Sequence, residues 1–143
     1  MYTSNDMHRF TYLVGETDST YHELARKVGM SDSAMSILYT LCDMGGECLL
    51  HTICSYSGLA KQTVNSAIRK LEADGVIVLL QENGKNKNVK LTESGKTLTD
   101  NTVAKIMKIE NDIMASWTKE EVEQYLSLTE RYLHMLREKM EEM

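Results

Sequence analysis

YSGLAKQTVNSAIRKLEADGVIVLLQENGKNKNVKLTESGK, residues Tyr56 to Lys96, is the stretch that decides the fold. Its first half places Val64, Ala67, Ile68 and Leu71 at i, i+3, i+4 and i+7, the spacing of one helix face. It predicts a helix over about Ala60–Asp74, with Gly75 standing where a C-cap is expected. Val76–Gln81 is aliphatic and β-branched, and Asn88–Leu91 is its expected partner strand. Between them ENGKNK supplies turn residues, so the pair reads as a hairpin. Thr92 then stands where it can cap another helix.

The polar side of the first helix carries the chemistry. Drawn at about 100° per residue from Val64, the apolar stripe lies within roughly 60° of zero. Gln62, Asn65, Ser66 and Arg69 fall on the opposite side, with Thr63 and Lys70 on one flank and Lys61 on the other. A surface helix usually carries Glu/Lys pairs there. Here stand short hydrogen-bonding groups and cations, the set that meets base edges and phosphates in a DNA groove. The hairpin tip adds Lys85 and Lys87 among Asn83, Asn86 and Asn88, where a cationic arm can touch phosphates or enter a minor groove.

Charge distribution agrees. The chain carries −5 overall, yet Ser57–Lys90 holds six bases against three acids. That segment is +3, and the remainder is −8. An acidic body with one basic segment orients itself on a polyanion. Gln62, Asn65, Ser66 and Arg69 are therefore the candidates for base edges. Lys61, Thr63 and Lys70 are the candidates for phosphates, and Lys85 and Lys87 for the hairpin contact.

Working outward, 143 residues suit one domain with a real core. No apolar run reaches the roughly 18 residues of a membrane span, and MYTSNDMHRF lacks the features of a secretory signal, so a cytoplasmic protein is expected. Asn5–Val28 shows a broken helical pattern, kinked or split by Gly15 and the polar residues after it, and ended by Gly29. Ser31 or Asp32 can cap a second helix to about Asp43, closed by Gly45-Gly46, and a short third helix is expected over Leu49–Ser55. Beyond Thr92 a fifth helix is expected to about Ala115. Thr118 and Glu121 then form the T-x-x-E capping box of a sixth. That last helix holds more apolar residues than one core-facing stripe needs, which points to a second subunit.

On these residues the sequence resembles the MarR family of bacterial winged-helix regulators. The resemblance lies in SGLAKQTVNSAIRKLEADGVI, the short Lys-containing wing, and LTESGK at Leu91–Lys96, with VGMSDSAMSILYTLCDMGG fitting the preceding helix. It implies a mainly α fold with a small β-hairpin wing. Residues of about 31–91 would form the winged helix-turn-helix region, and about 1–30 and 92–143 a helical dimerisation region. It further implies a homodimer on a near-palindromic operator in double-stranded DNA, acting as a repressor that a small-molecule effector releases. One departure stands out: members commonly carry an acid-x-Arg pair in the wing, and ENGKNKNVK has no arginine. Lys85 or Lys87 would substitute, as point charges without a bidentate fork.

Other residue types weigh less. The reactive first-helix cysteine of peroxide-sensing members has no counterpart here, since Cys42 is the first cysteine. Cys42 and Cys54 read as small buried hydrophobes, and Cys48, in a Gly-Gly-Glu-Cys turn, as the best candidate for an exposed thiol. His8, His22, His51 and His134 show no metal-ligand spacing, so no metal and no cofactor are expected. Met30 and Met35 are placed to line an apolar ligand cleft. No phosphate loop or nucleophile elbow is present, and an enzyme is not expected. Two alternatives remain, a winged helix that binds a protein partner and a thiol-responsive regulator.

Overall fold

A computed structural model describes residues 2–82 and 86–143. The element order is α1 (Asn5–Lys27), α2 (Asp32–Asp43), β1 (Glu47–Leu49), α3 (Leu50–Ser57), α4 (Lys61–Ala73), β2 (Ile77–Glu82), β3 (Asn86–Leu91), α5 (Glu93–Asn101), α6 (Val103–Ser116) and α7 (Lys119–Glu141). One compact unit runs to Ile106 and a second from Met107 to Met143.

The core of the first unit is built from the expected stripes. Ile37, Leu38 and Leu41 of α2, Ile53 of α3, and Val64, Ile68 and Leu71 of α4 are buried. They meet Ile77, Val89 and Leu91 from the sheet, with Val103 and Ile106 also enclosed. The sheet is antiparallel in the order β1-β3-β2, with Ile77 opposite Leu91, Leu79 opposite Val89 and Gln81 opposite Lys87. Alternation along each strand turns Cys48, Ile77, Val89 and Leu91 toward the helices. Lys87 belongs to that same face, whereas Lys90 shares the outer face with Val78, Leu80 and Glu47.

Four helices start on side-chain caps: Ser4, Ser31, Thr92 and Thr118 accept hydrogen bonds from the amides of Met7, Ala34, Gly95 and Glu121 at 2.9–3.2 Å. Thr92 also ties three elements together. Its hydroxyl donates to the carbonyl of Gly75 at 2.6 Å, and its amide donates to that of Val76 at 3.1 Å. Gly75 itself sits at φ 75°, the left-handed conformation that lets α4 end and β2 begin at once. The L-T-x-x-G-K run is thus a clamp joining the end of α4 and the start of β2 to α5.

Four expectations are corrected. α1 is one continuous helix through Gly15, because a glycine inside a helix costs only about 1 kcal/mol relative to alanine and neither kinks nor ends it by itself. Thr17 and Thr20 bond back to the carbonyls of Leu13 and Glu16, which keeps the polar run helical. The expected fifth helix is instead two, α5 and α6. They are divided at Thr102, where the backbone leaves helical geometry at φ −130° and ψ −84°. Residues Glu47–Leu49 form a third strand, paired with β3, where a turn and the first residue of the third helix were expected. Finally, β3 begins at Asn86 rather than Asn88.

In the second unit α7 opens on a complete capping box, the Thr118 amide donating to Glu121 Oε1 at 2.9 Å. Trp117 and Tyr125 meet edge to face with ring centroids 5.5 Å apart. No residue of α7 is buried, and Leu126, Leu133, Leu136 and Met140 are all exposed. No helix of the described residues is long and apolar enough to cross a membrane.

Candidate nucleic-acid interface

α4 buries Val64, Ile68 and Leu71, half-buries Ala67 beside them, and exposes most of its remaining circumference. Lys61, Gln62, Thr63, Ser66, Arg69 and Lys70 are exposed, and Asn65 is half-buried at the edge of the core. Among the described residues none of Lys61, Arg69, Lys70 and Lys87 is held in an ion pair. Four cations therefore stand on this face with their charge unspent. Lys85 lies outside the described residues.

Two clefts flank the exposed crest of α4. On one side a cleft of about 690 Å³ opens against the α1–α2 loop, lined by Met30, Gln62, Thr63, Ser66, Lys70 and Leu71 among others. On the other, a cleft of about 660 Å³ opens between α3, α4 and β3, lined by His51, Cys54, Lys61, Asn65 and Lys87 with apolar neighbours. Arg69 lies on the ridge and lines neither. The polar row thus divides into a crest and two flanks, which matches what a helix meets in a major groove: base edges ahead and a sugar-phosphate wall to each side.

The starts of α3 and α4 strengthen the electrostatics. Leu49 and Ala60, which precede them, make no side-chain cap bond, and neither first turn contains an acid. Among the described residues their first backbone N–H groups meet no side-chain cap, and their positive dipole ends favour an anion.

The expected ligand-cleft residues separate. Met30 lines the cleft beside the α1–α2 loop, whereas Met35 is nearly buried in the core. His51 also lines the second cleft. A lone histidine five residues before Tyr56 carries no linear signal, and the packing of α3 against α4 and β3 places it in one cleft with Lys61 and Lys87.

The thiols also differ from expectation. Cys48 is half-buried in β1 opposite Val89 rather than exposed in a turn, and Cys42 and Cys54 are half-exposed rather than enclosed. Burial pushes the Cys48 thiol up from its ordinary value. Burial does the same at Cys42, opposed by a hydrogen bond to Thr99 and assisted by the charge of Asp100. Less thiolate is present at neutral pH than in an ordinary cysteine. Alkylation of Cys42 and Cys48 at pH of about 7.5 is expected to run severalfold slower than for a free thiol, and to accelerate as pH rises. Mass-spectrometric rates for each peptide check this, and either cysteine reacting as fast as free thiol would contradict it. Among the described residues no group of three or more His, Cys, Asp or Glu side chains is gathered for a metal.

A sequence model of the MarR family matches residues 14–86. No curated protein sequence matches the chain. Among solved structures, NMB1585, a MarR family regulator from Neisseria meningitidis, superposes with a TM-score of 0.86 at 16% identity, covering 97% of this chain and 99% of that one. PcaV from Streptomyces coelicolor, solved in complex with its natural ligand, gives 0.67 at 15% identity over 94% and 98%. BpsR from Bordetella bronchiseptica, whose DNA binding is regulated by 6-hydroxynicotinic acid, gives 0.66 at 16% identity over 87% and 98%.

Proposed function

The chain belongs to the MarR family, and from that premise we propose that it is a sequence-specific DNA-binding transcriptional regulator of the cytoplasm. It works as a homodimeric repressor that a small molecule releases from a near-palindromic operator. The observation that carries this reading is α4, a helix with a buried apolar stripe and an exposed polar crest whose cations have no ion-pair partner among the described residues. Gln62, Asn65, Ser66 and Arg69 meet base edges. Lys61, Thr63 and Lys70 hold phosphates, and Lys87 with Lys85 forms the wing contact.

Dimerisation runs through the helical regions of about 1–30 and 92–143, with the winged helix at about 31–91. Support comes from apolar faces left open: Leu13 and Val14 on α1, Ile109 and Ile113 on α6, and most of α7. Along α7, Leu126, Thr129, Leu133, Leu136 and Met140 follow one another at alternating spacings of three and four, the seam that packs on another helix.

The effector occupies the cleft lined by Met30 and Leu71. Its size lies in the range of small-molecule sites, about 300–1,000 Å³. Thr63, Ser66 and Lys70 line the same cleft, so an occupant excludes DNA directly from one flank of α4. Ligand-bound PcaV and the regulation of BpsR by 6-hydroxynicotinic acid support a family habit of this kind.

The test is selection of bound duplexes from a random library, followed by gel shifts over a salt series and sedimentation with and without DNA. A dimer is expected on a near-palindrome, with affinity falling by about 10³-fold or more between 50 and 200 mM salt. A protein that binds no duplex at low salt would overturn the proposal in favour of a protein-interaction module.

A further inference from the structure

On the premise that the protein binds DNA as proposed above, we infer that the cleft between α3, α4 and β3 seats a run of sugar-phosphate backbone, and that His51 is one of its phosphate ligands. Operator binding is then coupled to proton uptake at a residue outside both the recognition helix and the wing.

The inference rests on what the cleft gathers. Three basic side chains line it from three elements: His51 from α3, Lys61 from α4 and Lys87 from β3. Lys87 gets there because the register puts it on the helix-facing side of the sheet, opposite Gln81, two residues along from the buried Val89. Lys61 lies at the edge of the α4 crest. A helix whose crest enters a groove therefore brings this cleft against one wall of that groove.

No carboxylate lines the cleft among the described residues. The charged or titratable groups that face His51 are Cys54 on its own helix, Lys61 and Lys87. β1 contributes only Leu49 to the lining, and the Glu47 carboxylate accepts a hydrogen bond from Asn88. His51 has no hydrogen-bond or ion-pair partner among the described residues. Leu49 and Leu59 supply an apolar floor suited to deoxyribose. The open amides at the start of α3 lie at the same mouth, since Leu50 and His51 are its first two residues.

The sign of the coupling follows from the charge of the ligand. A phosphate seated in the cleft places negative charge against the imidazole and favours the imidazolium, so binding takes up a proton and affinity rises as pH falls through the histidine range. A change of about one pH unit in the imidazole's proton affinity is worth up to about tenfold in binding for each copy of the cleft. The charged form adds one phosphate contact, steepening the salt dependence by about 0.9 in log–log slope per copy.

The experiment measures affinity of the full chain for its selected duplex from about pH 8 to about pH 5.5 in wild type, His51→Gln and His51→Lys. His51 is exposed, so these variants fold. Wild type is expected to tighten by up to about tenfold per copy as pH falls. His51→Gln is expected to stay at the alkaline affinity throughout. His51→Lys, with a fixed charge, should bind at pH 8 as tightly as wild type does in acid. Parallel pH profiles in wild type and His51→Gln would overturn the inference and assign the protons elsewhere, for instance to His22, which pairs with Asp32 at 2.7 Å. A wild-type affinity insensitive to pH would overturn it while leaving DNA binding intact. Absence of wild-type binding at every pH and at low salt would instead remove the DNA-binding reading itself.

Discussion

Replacing Gly95 with alanine is expected to destabilise the first unit by about 3 kcal/mol, enough to leave much of the chain unfolded at physiological temperature. A β-carbon built on Gly95 falls inside the carbonyl of Val76, far within van der Waals contact, and lies 3.2 Å from Leu91 Cδ2. The obstacle is backbone, so no rotamer change relieves it. That carbonyl is already fixed, because it accepts the Thr92 amide at the foot of the hairpin. Movement there would loosen the clamp that joins α4, β2 and α5 and would shift the sheet under the candidate interface. Gly15→Ala is the matched control. Nothing lies within 4 Å of a β-carbon at Gly15, in the middle of α1, so this change should stabilise by about 0.5–1 kcal/mol. Urea unfolding followed by circular dichroism reads both. A Gly95→Ala midpoint equal to wild type would show that the junction yields.

Replacing Arg69 with alanine is expected to weaken binding to the selected operator by about 1–3 kcal/mol for each copy that contacts a guanine, roughly five- to 150-fold. Arg69 is exposed, lies on the ridge between the two clefts and has no ion-pair partner among the described residues. Its loss should therefore leave the unfolding midpoint unchanged, which separates a contact effect from a folding effect. The outcome for Lys87→Ala differs in kind. A phosphate contact carries no sequence information, so its loss should weaken all duplexes alike and flatten the salt dependence by about 0.9 in slope per copy. An Arg69→Ala protein with wild-type affinity would mean that this side chain reads nothing.

The features legible in the sequence were those whose signal is local and periodic. The stripe Val64, Ala67, Ile68 and Leu71 located α4 because helix burial repeats within a few residues. Thr118 and Glu121 located the start of α7 because a capping box spans four residues. The hairpin was legible for the same reason, its turn chemistry being concentrated in a few positions. What escaped depends on partners distant in the chain. β1 is three residues long, too short for an alternating pattern, and is a strand only because Glu47 meets Lys90 and Cys48 meets Val89. The division at Thr102 has no glycine or proline to announce it. Both clefts beside α4 are composites as well. Met30 of the α1–α2 loop shares one cleft with Leu71 of α4, and His51 of α3 shares the other with Lys87 of β3. A helical wheel could place Lys61 and Lys70 on opposite flanks, but it could not show what stands across from each.

The central claim is that the crest of α4 reads sequence while its flanks hold the backbone. The most direct measurement compares the affinity of wild type and of the triple variant Gln62→Ala, Ser66→Ala, Arg69→Ala for the selected duplex and for a shuffled duplex of the same composition. All three positions are exposed, so the variant keeps its fold. The expected result is a collapse of the selected-to-shuffled ratio toward unity, with affinity for the shuffled duplex and its salt slope largely retained by Lys61, Lys70 and Lys87. A triple variant that still prefers the selected duplex as strongly as wild type does would contradict the claim.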